Sequence, residues 1–285
     1  MKKLASSFSH INLMPNPKTK TGEDWTKPYS LEEILKSTPK KVNTYSALVK
    51  DVAKILHHNR QLTLFFRGQT KDHKDKDGRT TILPSIFRKK PGEKQLLLKQ
   101  RFERLKTNVE FLRKAFAGSS IKLAGMHLLN KYEEVGWALL QHYQVCPTPV
   151  IDITHSLHVA CSFAFEGNDN KAGIIYVLGL PWPNDVISYH TYEELVNIRL
   201  LNICPPEAQR PFFQEGYLLG TFPNYRLDEP SRIDQFDPAR RIVAKFEIPV
   251  HADFWGKDFR KIPTAYIYPE PDIVKTICES IKLQQ

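Results

Sequence analysis

Residues 149–165 read PVIDITHSLHVACSFAF. The β-branched run PVIDIT at 149–154 predicts a short strand, and SLHVACSFAF at 156–165 predicts a helix entered through a tight turn. Ala160 and Ala164 stand four apart on one helix face, where their small side chains let the helix lie close against a sheet. A strand, a turn and a sheet-packed helix set the class as mixed α+β.

Toward the N-terminus, QLTLFFR at 61–67 puts Leu62, Leu64 and Phe66 on one face and Phe65 on the other, a buried strand that ends in Arg67-Gly68-Gln69. SLEE at 30–33 is a capping box opening a short helix ended before Pro39. Tyr45, Leu48, Val49, Val52, Ile55 and Leu56 recur at helical spacing. The polar stretch at 70–81, with Asp77-Gly78 as a turn signal, predicts a mobile loop. Apolar residues at 98, 102, 105, 109, 112 and 116 predict a long amphipathic helix over 93–117, stopped at Gly118. Leu128, Tyr132, Val135, Leu139 and Tyr143 predict a second over 127–143, the two forming a helical hairpin inserted at about 93–145.

Downstream, AGIIYVLGL at 172–180 reads as a buried strand and TYEE at 191–194 as a second capping box opening a helix to about 202. The tail of RPFFQEGYLLGTF at 210–222 is strand-like, and RIVAKFEI at 241–248 alternates as a half-exposed strand does. AYIYPEPDIVKTICESIK at 265–282 predicts a strand, then Pro271 in the first turn of a closing helix carrying Ile273, Ile277 and Ile281. No internal repeat or Gly/Ser linker divides the chain. The expected organisation is a polar arm with a short helix over 1–44 and one α+β domain over 45–285.

With 285 residues, 41% of them hydrophobic, the chain can bury a full core, which excludes a small stapled domain and a disordered polymer. The net charge of +10 is uneven. Residues 67–106 hold 13 basic against 5 acidic side chains, whereas 107–285 hold 17 against 21. A polyanion, RNA or DNA, would meet Lys71, Lys74, Lys76, Arg79, Arg88, Lys89 and Lys90 in the basic region 70–106; the alternative is a solvated lysine-rich loop. Cys146, Cys161, Cys204 and Cys278 match no CxxC spacing and suit buried thiols in a reducing compartment. With no run of 18 apolar residues and no apolar leader, the expectation is a cytoplasmic protein without membrane partners.

Three blocks carry a resemblance: Phe66-Arg67-Gly68-Gln69; Leu140-Gln141-His142-Tyr143 with Pro147-Thr148 and Asp152-Ile153-Thr154-His155-Ser156; and Arg210 with Gln214-Glu215-Gly216-Tyr217-Leu218. In this order they resemble the FRG domain family over about residues 45–285. The chain departs from that pattern where Gln144-Val145-Cys146-Pro147-Thr148 replaces Gly-Leu-Pro-Thr, and where Ile153 replaces a Trp. The order is also similar to that of ADP-ribosyltransferases of the Arg–Ser–Glu type. That likeness implies a split, mixed or antiparallel sheet of the ADP-ribosyltransferase-like type and a glycosyl transfer from NAD to a macromolecule, with nucleic acid as a candidate target and a toxin or antiphage effector as a candidate role.

The same likeness implies site residues. Arg67 would bind the phosphates of NAD, beside Gly68 and Gln69; Thr154 or Ser156 would orient the nicotinamide or its ribose; Gln214 or Glu215 would hold a ribose hydroxyl and stabilise oxocarbenium charge. Apart from that likeness, His142 at the end of an apolar helix, next to Tyr143, would contact ligand or act as general base. Each has a plain alternative: Arg67 paired to Asp152 in the core, a tight turn at Gln214-Glu215-Gly216, and His142 simply hydrogen-bonded to the next strand. No GxGxxG, P-loop or GxSxG motif competes, and Asp152, His155 and His158 would be scattered by a helix starting near Ser156, so no metal is expected. The competing function is a non-catalytic module that binds nucleic acid or a partner; a third reading is a structural domain whose motif closes the core.

Overall fold

The structure, a computed structural model, describes residues 30–88, 98–223 and 235–282. It is mixed α and β, with mostly antiparallel strands. Two compact units emerge, each assembled from three stretches of chain: Met1–Ile82, Thr154–Trp182 and Ala239–Pro263 form the first, and Leu83–Ile153, Pro183–Pro238 and Thr264–Gln285 the second. Among the described residues no helix is long and apolar enough to cross a membrane.

In the first unit, α1 (Leu31–Lys36) is opened by the expected capping box, Ser30 Oγ accepting from the Glu33 N–H and the Glu33 carboxylate accepting from the Ser30 N–H. Strand β1 (Lys40–Lys41) follows, then α2 (Tyr45–His58), capped by Thr44. Strand β2 (Thr63–Gln69) runs through the Arg67-Gly68-Gln69 end predicted for it. Next come α6 (Leu157–Phe165), β4 (Ala172–Leu180) and β8 (Ile242–Pro249). The strand order is β1-β8-β4-β2, with β1 and β8 parallel and the remaining pairs antiparallel. Helix α6 lies flat on this sheet because two positions beneath it lack side chains. A Cβ on Gly68 would sit 1.8 Å from the Ala160 carbonyl oxygen, and one on Gly173 would sit 2.9 Å from the Ala164 Cβ.

Two expectations fail in this unit. Strand β8 is not half-exposed: apart from Glu247 and Pro249, all its residues are buried, Lys245 included. Lys245 Nζ donates to Leu35 O (3.1 Å), Ser37 O (2.6 Å) and Thr80 Oγ1 (2.8 Å), and lies 3.6 Å from Asp72. A buried ammonium tolerates such a site only because every proton finds an acceptor. The 70–81 segment, expected to be mobile, supplies two of these, Thr80 Oγ1 and Asp72, and α1 with its C-cap Ser37 supplies the other two. Asp72 takes bonds from Thr80 and Tyr176 and an ion pair from Lys74 at 2.8 Å, and Thr80 N–H donates to Leu35 O. The Asp77-Gly78 turn is present, with Gly78 at φ +73°.

In the second unit the strands are β3 (Val150–Thr154), β5 (Ile187–His190), β6 (Leu195–Arg199) and β7 (Gly216–Thr221), in the order β3-β7-β6-β5. The long helix α3 (Leu98–Ala117) buries Leu105, Val109, Leu112 and Phe116 as expected; residues 93–97 of the prediction lie outside the described residues. The single helix expected over 127–143 is two, α4 (Met126–Lys131) and α5 (Glu133–His142), parted at Tyr132 with φ −121° and ψ 122°. Glu133 and Glu134 begin a fresh N-terminus, where carboxylates favour the helix dipole. TYEE at 191–194 opens no helix. It is the turn of the β5–β6 hairpin, because pairing His190 with Leu195 and Ile187 with Ile198 buries Leu195, Val196 and Ile198. The predicted strand at 265–268 is instead α8 (Thr264–Ile267), following α7 (Gln209–Phe213) in the same unit. The closing helix α9 (Ile273–Lys282) buries Val274, Cys278 and Ile281, whereas Ile273 is exposed. All four cysteines are free, and Cys161, Cys204 and Cys278 are buried.

Two predictions follow from the packing. Gly68→Ala forces backbone against backbone and should cost about 3 kcal/mol or more, read as a lowered urea midpoint with an unchanged m-value. Lys245 has its pKa lowered to about 8, chiefly by burial, with Lys74 adding to and Asp72 opposing the shift. The unfolded chain then binds more protons than the folded one from about pH 8 to about 10.4, so this group makes stability rise with pH across that window. Urea denaturation from pH 7 to 10 should show that rise in the wild type and its loss in Lys245→Met.

Candidate functional site

The second unit gathers a polar cluster from the end of α5, the middle of β3 and the α7–β7 turn. Helix α5 is almost wholly buried and ends at His142, after which Gln144 adopts φ +54° and turns the chain. His142 is therefore held at the end of an apolar helix with 2% exposure. Its Nδ1 lies 3.1 Å from Asp152 Oδ1. Gln141 Nε2 donates to Asp152 Oδ2 at 3.0 Å, and Thr148 Oγ1 donates to Gln141 Oε1 at 2.6 Å, which fixes the amide and, through it, the carboxylate. An ionised carboxylate only accepts, so the imidazole carries its proton on Nδ1 and leaves the Nε2 lone pair free.

That Nε2 is buried and meets no hydrogen-bond partner among the described residues. Burial pushes the His142 pKa down; the Asp152 hydrogen bond and charge oppose this, and the charge of Arg210 adds to it. The group is thus a neutral, oriented base at physiological pH. Gly216, at the start of β7, lets the backbone pass close to the ring: a Cβ there would lie 3.3 Å from His142 Cε1.

Beside it, the Arg210 guanidinium lies over two tyrosine rings, 5.4 Å from Tyr143 and 4.9 Å from Tyr268. The Tyr143 hydroxyl donates to Asp272 at 3.3 Å, and burial pushes its pKa far above the ordinary tyrosine range. Of the two residues left open in sequence, Gln214 is buried and its Nε2 donates to Ile267 O at 2.8 Å, whereas Glu215 is exposed at φ +44°. The second unit thus brings together His142, Tyr143 and Gln214 with four residues to which the sequence assigned no site role: Gln141, Arg210, Tyr268 and Asp272. Arg210 was visible only as part of a motif, since its place between tyrosines depends on Tyr268, 58 positions away.

The other expected ligand contacts fall in the first unit. Arg67 and Gln69 are half-buried on β2, where Arg67 pairs with Tyr176 in register and Phe66 with Thr154. Gln69 Oε1 is buried without a hydrogen-bond partner among the described residues. Thr154 Oγ1 accepts from the Ser156 N–H at 3.0 Å, and Ser156 Oγ accepts from the Val159 N–H at 3.4 Å as the cap of α6. Both hydroxyls thereby hold the turn between the strand and the helix. In the basic stretch, Lys74 is ion-paired to Asp72, and Arg79 to Asp75 (2.9 Å) and Asp77 (3.0 Å). Lys71 and Lys76 are exposed. Arg88, exposed in the second unit, donates to Leu83 O at 2.7 Å, while Lys89 and Lys90 lie outside the described residues.

Residues 62–173 match the family model of the FRG domain, a span that takes in the Phe66-Arg67-Gly68 strand end, His142 and Asp152 and stops short of Arg210. No curated protein and no solved structure matches the chain.

Replacing Asp152 by Asn removes the charge and carboxylate bond that hold the His142 pKa up. The His142 imidazole should then titrate lower still, checked by its ¹⁵N and ¹H shifts across pH 4 to 8 in wild type and Asp152→Asn.

Proposed function

The chain carries an FRG domain, and on that premise we propose that it is an NAD-dependent enzyme of the ADP-ribosyltransferase-like type that modifies a macromolecule. The observation that supports the reading is the buried His142 imidazole, proton on Nδ1 toward Asp152 and Nε2 without a partner. A neutral imidazole so oriented is suited to take a proton from a hydroxyl or amine nucleophile. The target's oxygen or nitrogen attacks C1′ of the nicotinamide ribose, and a new glycosidic bond forms as the C1′–nicotinamide bond breaks. The bonding pair leaves with nicotinamide, which departs neutral, and the nucleophile's proton passes to Nε2. Glu215 is the carboxylate offered to the ribose and to developing oxocarbenium charge, since Gln214 is committed to the α8 backbone. Nucleic acid is the proposed target, and the proposed role is that of a toxin or antiphage effector in the cytoplasm.

Purified protein with labelled NAD and an RNA or DNA acceptor should release nicotinamide and label the acceptor. His142→Ala should lower turnover by about 10²-fold or more in folded protein checked by circular dichroism, and should also lower the melting temperature because the side chain is buried. Millimolar NAD, in the same assay, should raise the melting temperature of the wild type. Wild-type protein that neither binds nor consumes NAD overturns the reading. The competing function, a non-catalytic nucleic-acid-binding module, draws on exposed Lys71 and Lys76 and calls for binding that falls steeply with salt and ignores changes at His142.

A further inference from the structure

Arg210 is a buried cation that makes no ion pair among the described residues. Its exposure is 9%, and its Nε meets no hydrogen-bond partner among them. The nearby acids are occupied. Asp272 Oδ1 caps α9 by accepting from the Val274 and Lys275 N–H groups, both at 3.0 Å, and the carboxylate also takes the Tyr143 hydroxyl. Glu270 is ion-paired to Lys275, and Asp152 is engaged by His142 and Gln141. An arginine that only filled space between Tyr143 and Tyr268 would cost more than an apolar residue of the same length, because its charge is buried with no ion pair among the described residues. Rings that hold a guanidinium do not satisfy its in-plane N–H fork, and that fork is the group that grips phosphate.

The same two short segments also expose aromatic surface. Phe213, one turn after Arg210 on α7, and Tyr266, two residues before Tyr268, are 44% and 57% exposed, with ring centroids 6.1 Å apart. Exposed rings three residues from Arg210 on α7 and two from Tyr268, with a cation unpaired among the described residues, fit a ligand that carries both a phosphate and a flat base. We propose that Arg210 anchors the phosphate of a nucleotide, a nucleoside diphosphate being the minimal probe, with Phe213 and Tyr266 as the stacking surface for its base. This site lies in the same cluster as His142, but nucleotide binding there needs neither NAD turnover nor His142 as a base.

Melting temperature and calorimetric titration with ADP, adenosine and pyrophosphate test it. The wild type and His142→Ala should both bind ADP, and more tightly than either fragment. Arg210→Met should fold, melt no lower than the wild type without ligand, and lose the ADP response. Arg210→Lys keeps the charge without the planar fork and should bind ADP about tenfold more weakly, and it decides the matter if the Met variant fails to fold. Phe213→Ser should weaken ADP and leave pyrophosphate unchanged. No ADP binding in the wild type, unchanged affinity in Arg210→Lys, or pyrophosphate binding as tight as ADP overturns the proposal; loss of NAD turnover in His142→Ala with ADP binding intact separates it from the enzyme reading.

Discussion

The missing side chain at Gly68 is the constraint on which the first unit depends. With the Ala160 carbonyl oxygen 1.8 Å from where a Cβ would stand, α6 can lie on β2 only if that position is glycine, and Gly173 under Ala164 repeats the condition on β4. The contact fixes the height of the helix above the sheet. It also fixes the Thr154-His155-Ser156 turn that leads into the helix, whose hydroxyls are spent on the turn's own N–H groups. The glycine of the Phe66-Arg67-Gly68 triplet therefore serves packing, whatever its neighbours bind.

Buried charge is handled in opposite ways in the two units. Lys245 sits in the core with three acceptors and a carboxylate within reach, and burial still lowers its pKa to about 8. Burial pushes the Asp72 carboxyl up, but the Lys74 hydrogen bond, the charge of Lys245 and the bonds from Tyr176 and Thr80 outweigh it and hold the carboxyl below its ordinary range. That network is closed and structural. In the second unit, Arg210 Nε and His142 Nε2 are buried and find no hydrogen-bond partner among the described residues, although Asp152 and Asp272 stand in the same cluster. Unsatisfied buried groups cost stability, and these two lie close enough for the charge of Arg210 to lower the pKa of His142.

Elements with a strong local cause were legible in the sequence. The Ser30–Glu33 box, Gly118 after the long helix, the Asp77-Gly78 turn, and the strands at 149–154 and 172–180 each carry their instruction within a few residues. The errors came where a distant partner decided. TYEE has the pattern of a capping box, but hairpin pairing of Ile187–His190 with Leu195–Arg199 buries Leu195, Val196 and Ile198 and makes TYEE the turn. Polar and apolar residues alternate in β8, yet Lys245 is buried because α1 and the 70–81 loop bring it acceptors from up to 210 positions away. Of the site, His142 and Tyr143 were readable as a motif. The role of Asp152 as the partner that sets the imidazole tautomer appeared only with the register of β3 against the end of α5.

The sequence by itself determined the mixed α and β class, the small helix residues that permit close packing, the free buried cysteines and the FRG-domain pattern that residues 62–173 match, because periodicity, turn chemistry and motif order are properties of neighbouring residues. Only the tertiary structure decided which charges are satisfied. Whether a lysine, an arginine or an imidazole finds its counter-group depends on distances between segments far apart in the chain, and no local pattern encodes the absence of a partner.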